Sequence, residues 1–524
     1  MDHAHLVTAA VLAAGVLAPA ATPVTAAPVS AVPMAAAPVT APSVAARAAA
    51  TAVMAPARTA PGCGAGAVCG TVQVPLDHAR PAAGTTTVAY MLVLRRDTAH
   101  PAAGTLALNP GGPGIPAIGR RDYAADYPEL TRTHDLLLVD PRGVGRSSAL
   151  TCRSAGWSDL SRTRTEAVAA AGACGRELGS LRRYYTTAAT ADDLDAVRAR
   201  LGIDRLDLIG RSYGAYLMTV YAERHPRHVR SLILSSAYPV EFDMLGRPAA
   251  FAMRRALRLL CARSGGACDG GQVMADLSAT ADRLARHPVR YSGGHLLDET
   301  ALAGTVYKLA SSHVALFGRL PQALGAAAAG DLVPLAGLAA RVRPLSGPDL
   351  RGARGGPGFS MPIYTTVTCN DYPVLWDRAA PLAERVRRYR ARVARLDPHD
   401  FRPFRPAAWL GGILDLGDFC VSWPDRRAPA RYGDGRLPDV PVLVLSGELD
   451  LSTPTEEALE VAARFRSARV VEVPSAGHVP EKDPRAAACV LGIENRFVRD
   501  HRLTGTACLR RIPPVPVPSP ADQR

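Results

Sequence analysis

Leu206-Asp-Leu-Ile-Gly-Arg-Ser-Tyr-Gly-Ala215 is the stretch whose reading decides the fold. Apolar β-formers run up to Gly210, Ser212 follows two residues later, and Gly214 leads into the helix-forming segment from Tyr213 to Arg224. Gly-x-Ser-x-Gly between a strand and a helix predicts a nucleophile elbow, a turn sharp enough to hold the serine in strained geometry. Small residues on either side of it let strand and helix approach closely. Five residues alone match by chance in a chain with 46 glycines, but the strand before and the helix after set this match apart. A serine nucleophile at Ser212 then requires a base, an orienting acid and an oxyanion site from the rest of the chain.

Working outward, Thr105–Asn109, Leu136–Asp140, Val229–Leu234, Pro441–Leu445 and Ala468–Val473 are short apolar runs of the kind that form buried parallel strands. Cys69–Pro75 and Thr86–Arg95 alternate apolar and polar residues, as an antiparallel hairpin does. Thr190–Leu201 has helical spacing, and Arg485 to about Arg502 reads as a terminal helix. Strand, helix and strand in succession imply a parallel sheet with right-handed crossovers. From about 240 to 437 the sheet pattern stops and helix-like segments take over (Ala249–Arg263, Val273–Arg286, Leu382–Leu396). The predicted class is therefore α/β: an α/β-hydrolase fold, with a mostly parallel central sheet flanked by helices and a large, mainly helical cap insertion. Its expected parts are a core over 63–239 and 438–510, a cap over 240–437, and a Pro-rich tail over 511–524.

Two further groups lie on loops after late strands. Asp450 falls in Ser446-Gly-Glu-Leu-Asp-Leu-Ser-Thr-Pro454, and His478 ends Pro474-Ser-Ala-Gly-His478. The chain order Ser212, Asp450, His478 is that of α/β-hydrolase triads. A neutral imidazole is needed to take the serine proton, and a carboxylate to hold that imidazole's tautomer. Glu448 is the fallback acid, and Thr453 either hydrogen-bonds the triad acid or caps the next helix. The oxyanion site is expected from Gly111 or Gly112, in the Gly/Pro loop Pro110–Gly114, together with the amide of Tyr213. No Gly-Lys-Ser/Thr follows that loop, so it is not a P-loop.

Composition narrows the function classes. The net charge is +14, but only Lys308 and Lys482 are lysines and the arginines are scattered without a basic block. That pattern describes a solvated surface and not a nucleic-acid partner. Residues 1–27 carry a short apolar run with small residues near its end, read as a signal peptide too short to span a membrane. Residues 28–62 are almost wholly Ala, Pro, Val, Thr and Ser, read as a disordered leader, pro-segment or cell-wall spacer. Ten cysteines in an exported chain point to disulfides, expected between sequence neighbours: Cys63 with Cys69, Cys152 with Cys174, Cys261 with Cys268, Cys369 with Cys420, and Cys489 with Cys508. No cysteine pair has zinc-ligand spacing with histidines, so neither a metal nor a cofactor is expected.

Asn109-Pro-Gly-Gly-Pro-Gly114, Asp140-Pro-Arg-Gly-Val-Gly-Arg-Ser147, Gly210-Arg-Ser-Tyr-Gly214 and Gly447-Glu-Leu-Asp-Leu-Ser-Thr-Pro454 together resemble secreted tripeptidyl aminopeptidases. These are proline-iminopeptidase-like serine peptidases of α/β-hydrolase fold. The resemblance covers most of the chain from Cys63 to Cys508 and implies an extracellular exopeptidase acting on peptides with free N-termini through Ser212, Asp450 and His478. It also implies a cap carboxylate that holds the substrate ammonium; Asp371 leads, followed by Glu241 and Asp418. Asn109 stands where iminopeptidases commonly have His, which argues against proline iminopeptidase specificity. Two other functions remain open from sequence: a small-molecule esterase or amidase using the same triad, and a catalytically silent wall-associated binding protein.

Overall fold

The computed structural model describes residues 63–119, 123–155, 163–342, 358–424 and 435–518. The predicted signal peptide and leader lie outside these residues, as does the end of the Pro-rich tail. An eight-stranded sheet organises the chain, in the order β1-β2-β4-β3-β5-β6-β9-β10. The strands are β1 (Ala67–Pro75), β2 (Thr85–Val93), β3 (Gly104–Asn109), β4 (His134–Val139), β5 (Leu206–Arg211), β6 (Val229–Ser235), β9 (Val442–Gly447) and β10 (Ala468–Val473). β7 (Val289–Tyr291) and β8 (His295–Leu297) form a separate hairpin. β1 and β2 are antiparallel, β2 runs antiparallel to β4, and every later pairing in the large sheet is parallel.

Alternation of side chains across the parallel strands builds two apolar layers. Leu208, Leu232 and Val444 face Leu217, Val220 and Tyr221 of the helix Tyr213–Arg224. Ile209, Ile233 and Leu443 face Ile493 and Phe497 of the terminal helix Ala487–Asp500. Burial on both sides explains why these strands read as continuous apolar runs. The register pairs Asn109 with Gly210, Arg211 with Ser235, and Gly447 with Val473, so the loops after β3, β5, β6, β9 and β10 emerge at one edge.

The insertion has its own core, built by the helices Arg247–Ala262, Gly270–Arg286, Glu299–Ser312, Leu320–Ala328 and Val333–Val342. Asp269 and Asp298 accept the amides of Gln272 and Ala301 and so cap two of these helices. The hairpin β7–β8 adds a short two-stranded sheet to this mainly helical insertion. Its strands are three residues each, too short to show a period of two, and the turn rests on positive φ at Gly293 and Gly294. The described part of the Pro-rich tail packs against the insertion. Val515 is buried in the insertion core, and the Pro516 carbonyl sits so close to Gly318 that no Cβ would fit there.

Met361, Tyr364, Trp376, Phe419 and Trp423 pack with Ala167, Ala171 and Leu178 of the helix Arg164–Leu178. All five neighbour pairs of cysteines are bonded, and among the described residues no cysteine is free. Cys369–Cys420 closes the longest loop, a separation of 51 residues. Closing a loop of that length removes denatured-state entropy worth about 4 kcal/mol in a chain-entropy treatment. Replacing Cys369 and Cys420 together by alanine should therefore lower unfolding free energy by ~2–4 kcal/mol, measured by denaturant titration without reductant; a loss below about 0.5 kcal/mol would contradict that assignment.

Candidate active site

Steric crowding shapes the elbow. A Cβ at Gly210 would lie 2.2 Å from the Gly214 carbonyl oxygen, and one at Gly214 would lie 2.3 Å from that of Asn109. Strand and helix therefore touch backbone to backbone, and Ser212 turns between them at φ 57°, ψ −126°. Its amide donates to the Ser235 carbonyl at 2.9 Å, which fixes the turn to β6.

The structure brings the three predicted groups together. His478 Nε2 lies 2.7 Å from Ser212 Oγ, and His478 Nδ1 lies 2.8 Å from Asp450 Oδ2. Asp450 is fully buried and accepts from Thr453 Oγ1 (2.7 Å) and from the Ser452 amide (2.8 Å). Thr453 thus serves the acid; the next helix has Pro454 at its N-cap without a side-chain cap bond. Glu448 is instead committed to Arg263 and to the Ser475 amide, so it braces the β9 and β10 loops. His478 is held from the insertion side, its amide donating to the Ser311 carbonyl at 2.7 Å. Val479 follows at φ 58°, a strained position for a β-branched residue, with its amide on Ser236 Oγ.

The oxyanion candidates separate on their partners. The Gly111 amide donates to Asn109 Oδ1 at 2.9 Å and is occupied, whereas Gly112 lines the cavity beside Ser212. Tyr213 stands at the helix start, where amides lack intrahelical acceptors. Asp140 holds the loop of Gly111 and Gly112 in place. Fully buried, it accepts the amides of Ala117 and Ile118 at 2.8 and 2.9 Å and that of Arg146 at 2.9 Å. Burial pushes its pKa up, and the three amides oppose that shift.

Beneath the elbow lies a buried charge network that sequence reading missed. Arg211 pairs with Asp126 at 3.1 Å and Glu481 at 3.6 Å, and donates to Tyr127 Oη at 3.1 Å. Tyr127 donates in turn to Glu494, whose pKa burial and the Glu481 charge push well up. Arg211 precedes the serine and Glu481 follows His478 by three residues, so the network ties both loops.

Ser212 and His478 open into a cavity of about 320 Å³. None of Asp371, Glu241 and Asp418 lines it; the acids that do are Asp243, Asp415 and Glu457. Asp371 is buried below, accepting Thr187 Oγ1 at 2.6 Å, while Thr187 Oγ1 also meets Tyr213 Oη at 2.9 Å. It supports the residue after the nucleophile. Asp418 is paired with Arg164 at 2.8 Å, and Glu241 is exposed. Asp243 is shared with Arg247 at 2.6 Å. Asp415 lies among Tyr238, Tyr307, Tyr364 and Tyr372; burial pushes these phenols well up, and its negative charge adds to the shift. Glu457 is buried with no hydrogen bond from its carboxyl group to another described residue, and burial with the Asp450 charge pushes its pKa well up. Lys308 and Lys482, the two lysines of the chain, line the same cavity.

Asp195, His225 and His228 group closely enough to suggest a metal site. Burial raises the Asp195 carboxyl, but Arg198, His225, Tyr221 and His228 outweigh it and hold the pKa at about 2. Those partners already occupy the carboxylate, as an internal ion network does.

Family models agree with this geometry: one described as alpha/beta hydrolase fold matches residues 104–263, and one described as TAP-like protein matches 412–508. Carboxylesterase B of Mycobacterium tuberculosis is 30% identical over 76% of this chain and 78% of its own length. The chain belongs to the α/β-hydrolase family. A tripeptidyl aminopeptidase of Streptomyces lividans is 28% identical over 86% of this chain and 84% of its own. Serine protease Hip1 of M. tuberculosis is 27% identical over 76% and 79%. Like these relatives, this α/β-hydrolase is an enzyme, a serine hydrolase. Its disulfides suit an extracellular, oxidising compartment, and no helix among the described residues is long and apolar enough to cross a membrane.

Asp371 yields a pH test. Burial pushes it from 3.8 to about 6, against the opposing hydrogen bonds of Thr187 and the charge of Arg378. Between those values the unfolded chain ionises first, so this group's contribution falls as pH rises from about 4 to about 6 and stays low above that. The loss is about 3 kcal/mol. Asp371→Asn keeps an acceptor for Thr187, so it should be ~1–3 kcal/mol more stable than wild type at pH 7 and lack this slope. Urea melts from pH 4 to 7.5 that gave parallel curves would reject the assignment.

Proposed function

We propose that this serine hydrolase is a secreted exopeptidase that removes short peptides, tripeptides in the first instance, from free N-termini. Ser212 is the nucleophile, His478 the base and Asp450 the orienting acid. As Ser212 Oγ attacks the scissile carbonyl, its proton passes to His478 Nε2, and the imidazolium is stabilised by Asp450. The oxyanion is met by the amides of Gly112 and Tyr213. Collapse expels the leaving amine, which takes the proton from His478 and leaves an acyl-enzyme on Ser212. Water then repeats the sequence and frees the peptide.

One observation carries the choice of an amine-bearing substrate: a buried carboxyl group, Glu457, lines the cavity that contains the triad. A substrate ammonium offsets the burial that raises the Glu457 pKa, favouring the carboxylate that pairs with the amine. Asp415, with its tyrosine surround, extends the same cation-favouring wall. The names of the S. lividans and Hip1 relatives support a peptidase. The carboxylesterase relative favours a second reading, ester hydrolysis by the same triad. Export by residues 1–27, and a wall-associated leader over 28–62, are part of the proposal.

Ser212→Ala should abolish both turnover and labelling by a fluorophosphonate, whereas the wild type labels. Failure of the folded wild type to label would instead favour a silent binding protein. Peptides with a free amine should be cut at least about tenfold faster than their N-acetyl forms, by mass-spectrometric assay. Equal rates would turn the assignment to the esterase. Glu457→Gln should lower kcat/KM on free-amine peptides roughly ten- to a hundredfold and leave the acetylated peptides little changed relative to wild type.

A further inference from the structure

Only two of the 61 basic residues in the chain are lysines, and both line the active-site cavity. Arginine supplies every other cationic side chain, yet no arginine is among the described residues that line it. Chance placement of two lysines in one cavity wall is a poor account of that segregation. Arginine and lysine differ physically. Arginine presents a broad planar fork, whereas lysine carries a compact ammonium on a flexible stem that follows a ligand and fits a confined space.

Position says which part of a substrate the lysines meet. Lys482 lies four residues beyond His478 on the same loop. Lys308 lies on the helix Glu299–Ser312, one turn before Ser312, which also lines the cavity; residues four apart share a helix face. The Ser311 carbonyl of that helix accepts the His478 amide. Both lysines are therefore carried by the segments that hold the histidine. The histidine delivers its proton to the departing group, so that group leaves from the same side. The acids of the cavity, Asp243, Asp415 and Glu457, come from other elements.

We propose that Lys308 and Lys482 form an anion subsite for the leaving group, selecting substrates whose departing half carries a carboxylate. For a peptide this is the terminal carboxylate of a short chain or an acidic side chain. An ammonium has three donors, so a lysine that already meets a protein carboxylate retains donors for the ligand. This inference rests on the acyl-transfer chemistry proposed above, and its orientation on His478 as the proton donor. It makes the enzyme a reader of both ends of short zwitterionic peptides, which are what an upstream endopeptidase would supply.

The test compares leaving groups that differ only in a para carboxylate. One tripeptide is offered as its anilide and its 4-aminobenzoate amide, and also as its phenyl and 4-carboxyphenyl esters. Wild type should favour the carboxylated partner about tenfold or more in kcat/KM, an advantage that shrinks at about 0.5 M NaCl. Lys308→Gln and Lys482→Gln should each pull the ratio towards one, and the arginine variants should retain part of it. A wild-type ratio of one or less, which needs no variant to fold, overturns the subsite. A ratio unchanged in the Gln variants does so as well. If only the esters turn over and their ratio holds, the subsite stands and the peptidase assignment falls. Anilide turnover with a ratio of one gives the reverse.

Discussion

The contact of β5 with the helix that follows it is the constraint on which the rest depends. Backbone meets backbone at Gly210 and Gly214, and Gly111 packs so close to the Arg211 carbonyl that a side chain there is also excluded. With strand and helix that close, Ser212 must take a left-handed backbone conformation, which is costly for a residue with a Cβ. The cost is borne by the surrounding sheet, through the bond from the Ser212 amide to β6. The oxyanion loop, the histidine loop and the cavity are all arranged about that fixed turn.

Buried charge does the second part of the positioning. Arg211, Asp140, Asp371 and Glu481 are nearly or fully removed from water. Each would be expensive alone and is held because partners meet it. Asp140 orders the loop that carries Gly112; Arg211 and Glu481 tie the serine loop to the histidine loop; Asp371 reaches Tyr213 through Thr187. Such pairs add little net stability compared with apolar packing, but removing one member leaves a stranded charge. Their value is in geometry, because catalysis by positioned donors tolerates little displacement.

The cavity combines opposite chemistries within a small volume. Carboxyl groups, phenols and ammonium groups line it together with Ser212 and His478, and Tyr307 and Lys308 come from the same helix. The insertion contributes to both, through Asp415 and its tyrosines and through Lys308, so it is part of the site and not just a roof. The TAP-like match over 412–508 takes in Asp415, Glu457 and Lys482 together with Asp450 and His478.

Local rules sufficed for much of this protein. The elbow, the strands, the order Ser212, Asp450, His478 and the neighbour pairing of cysteines were legible because each depends on a few adjacent residues or on strand ends that a parallel sheet must bring to one edge. The hairpin β7–β8 was too short to leave a periodic trace. The choice between Gly111 and Gly112 turned on one side chain, Asn109, folding back on its own loop. The acids of the cavity could not be picked from 47 candidates, since burial and facing depend on how a helical insertion of nearly two hundred residues crosses the sheet edge. Sequence by itself determined the reaction machinery, whose spacing is set by the sheet. Only the tertiary structure decided what that machinery faces, because Asp243, Asp415, Glu457, Lys308 and Lys482 meet through long-range packing that no local pattern encodes.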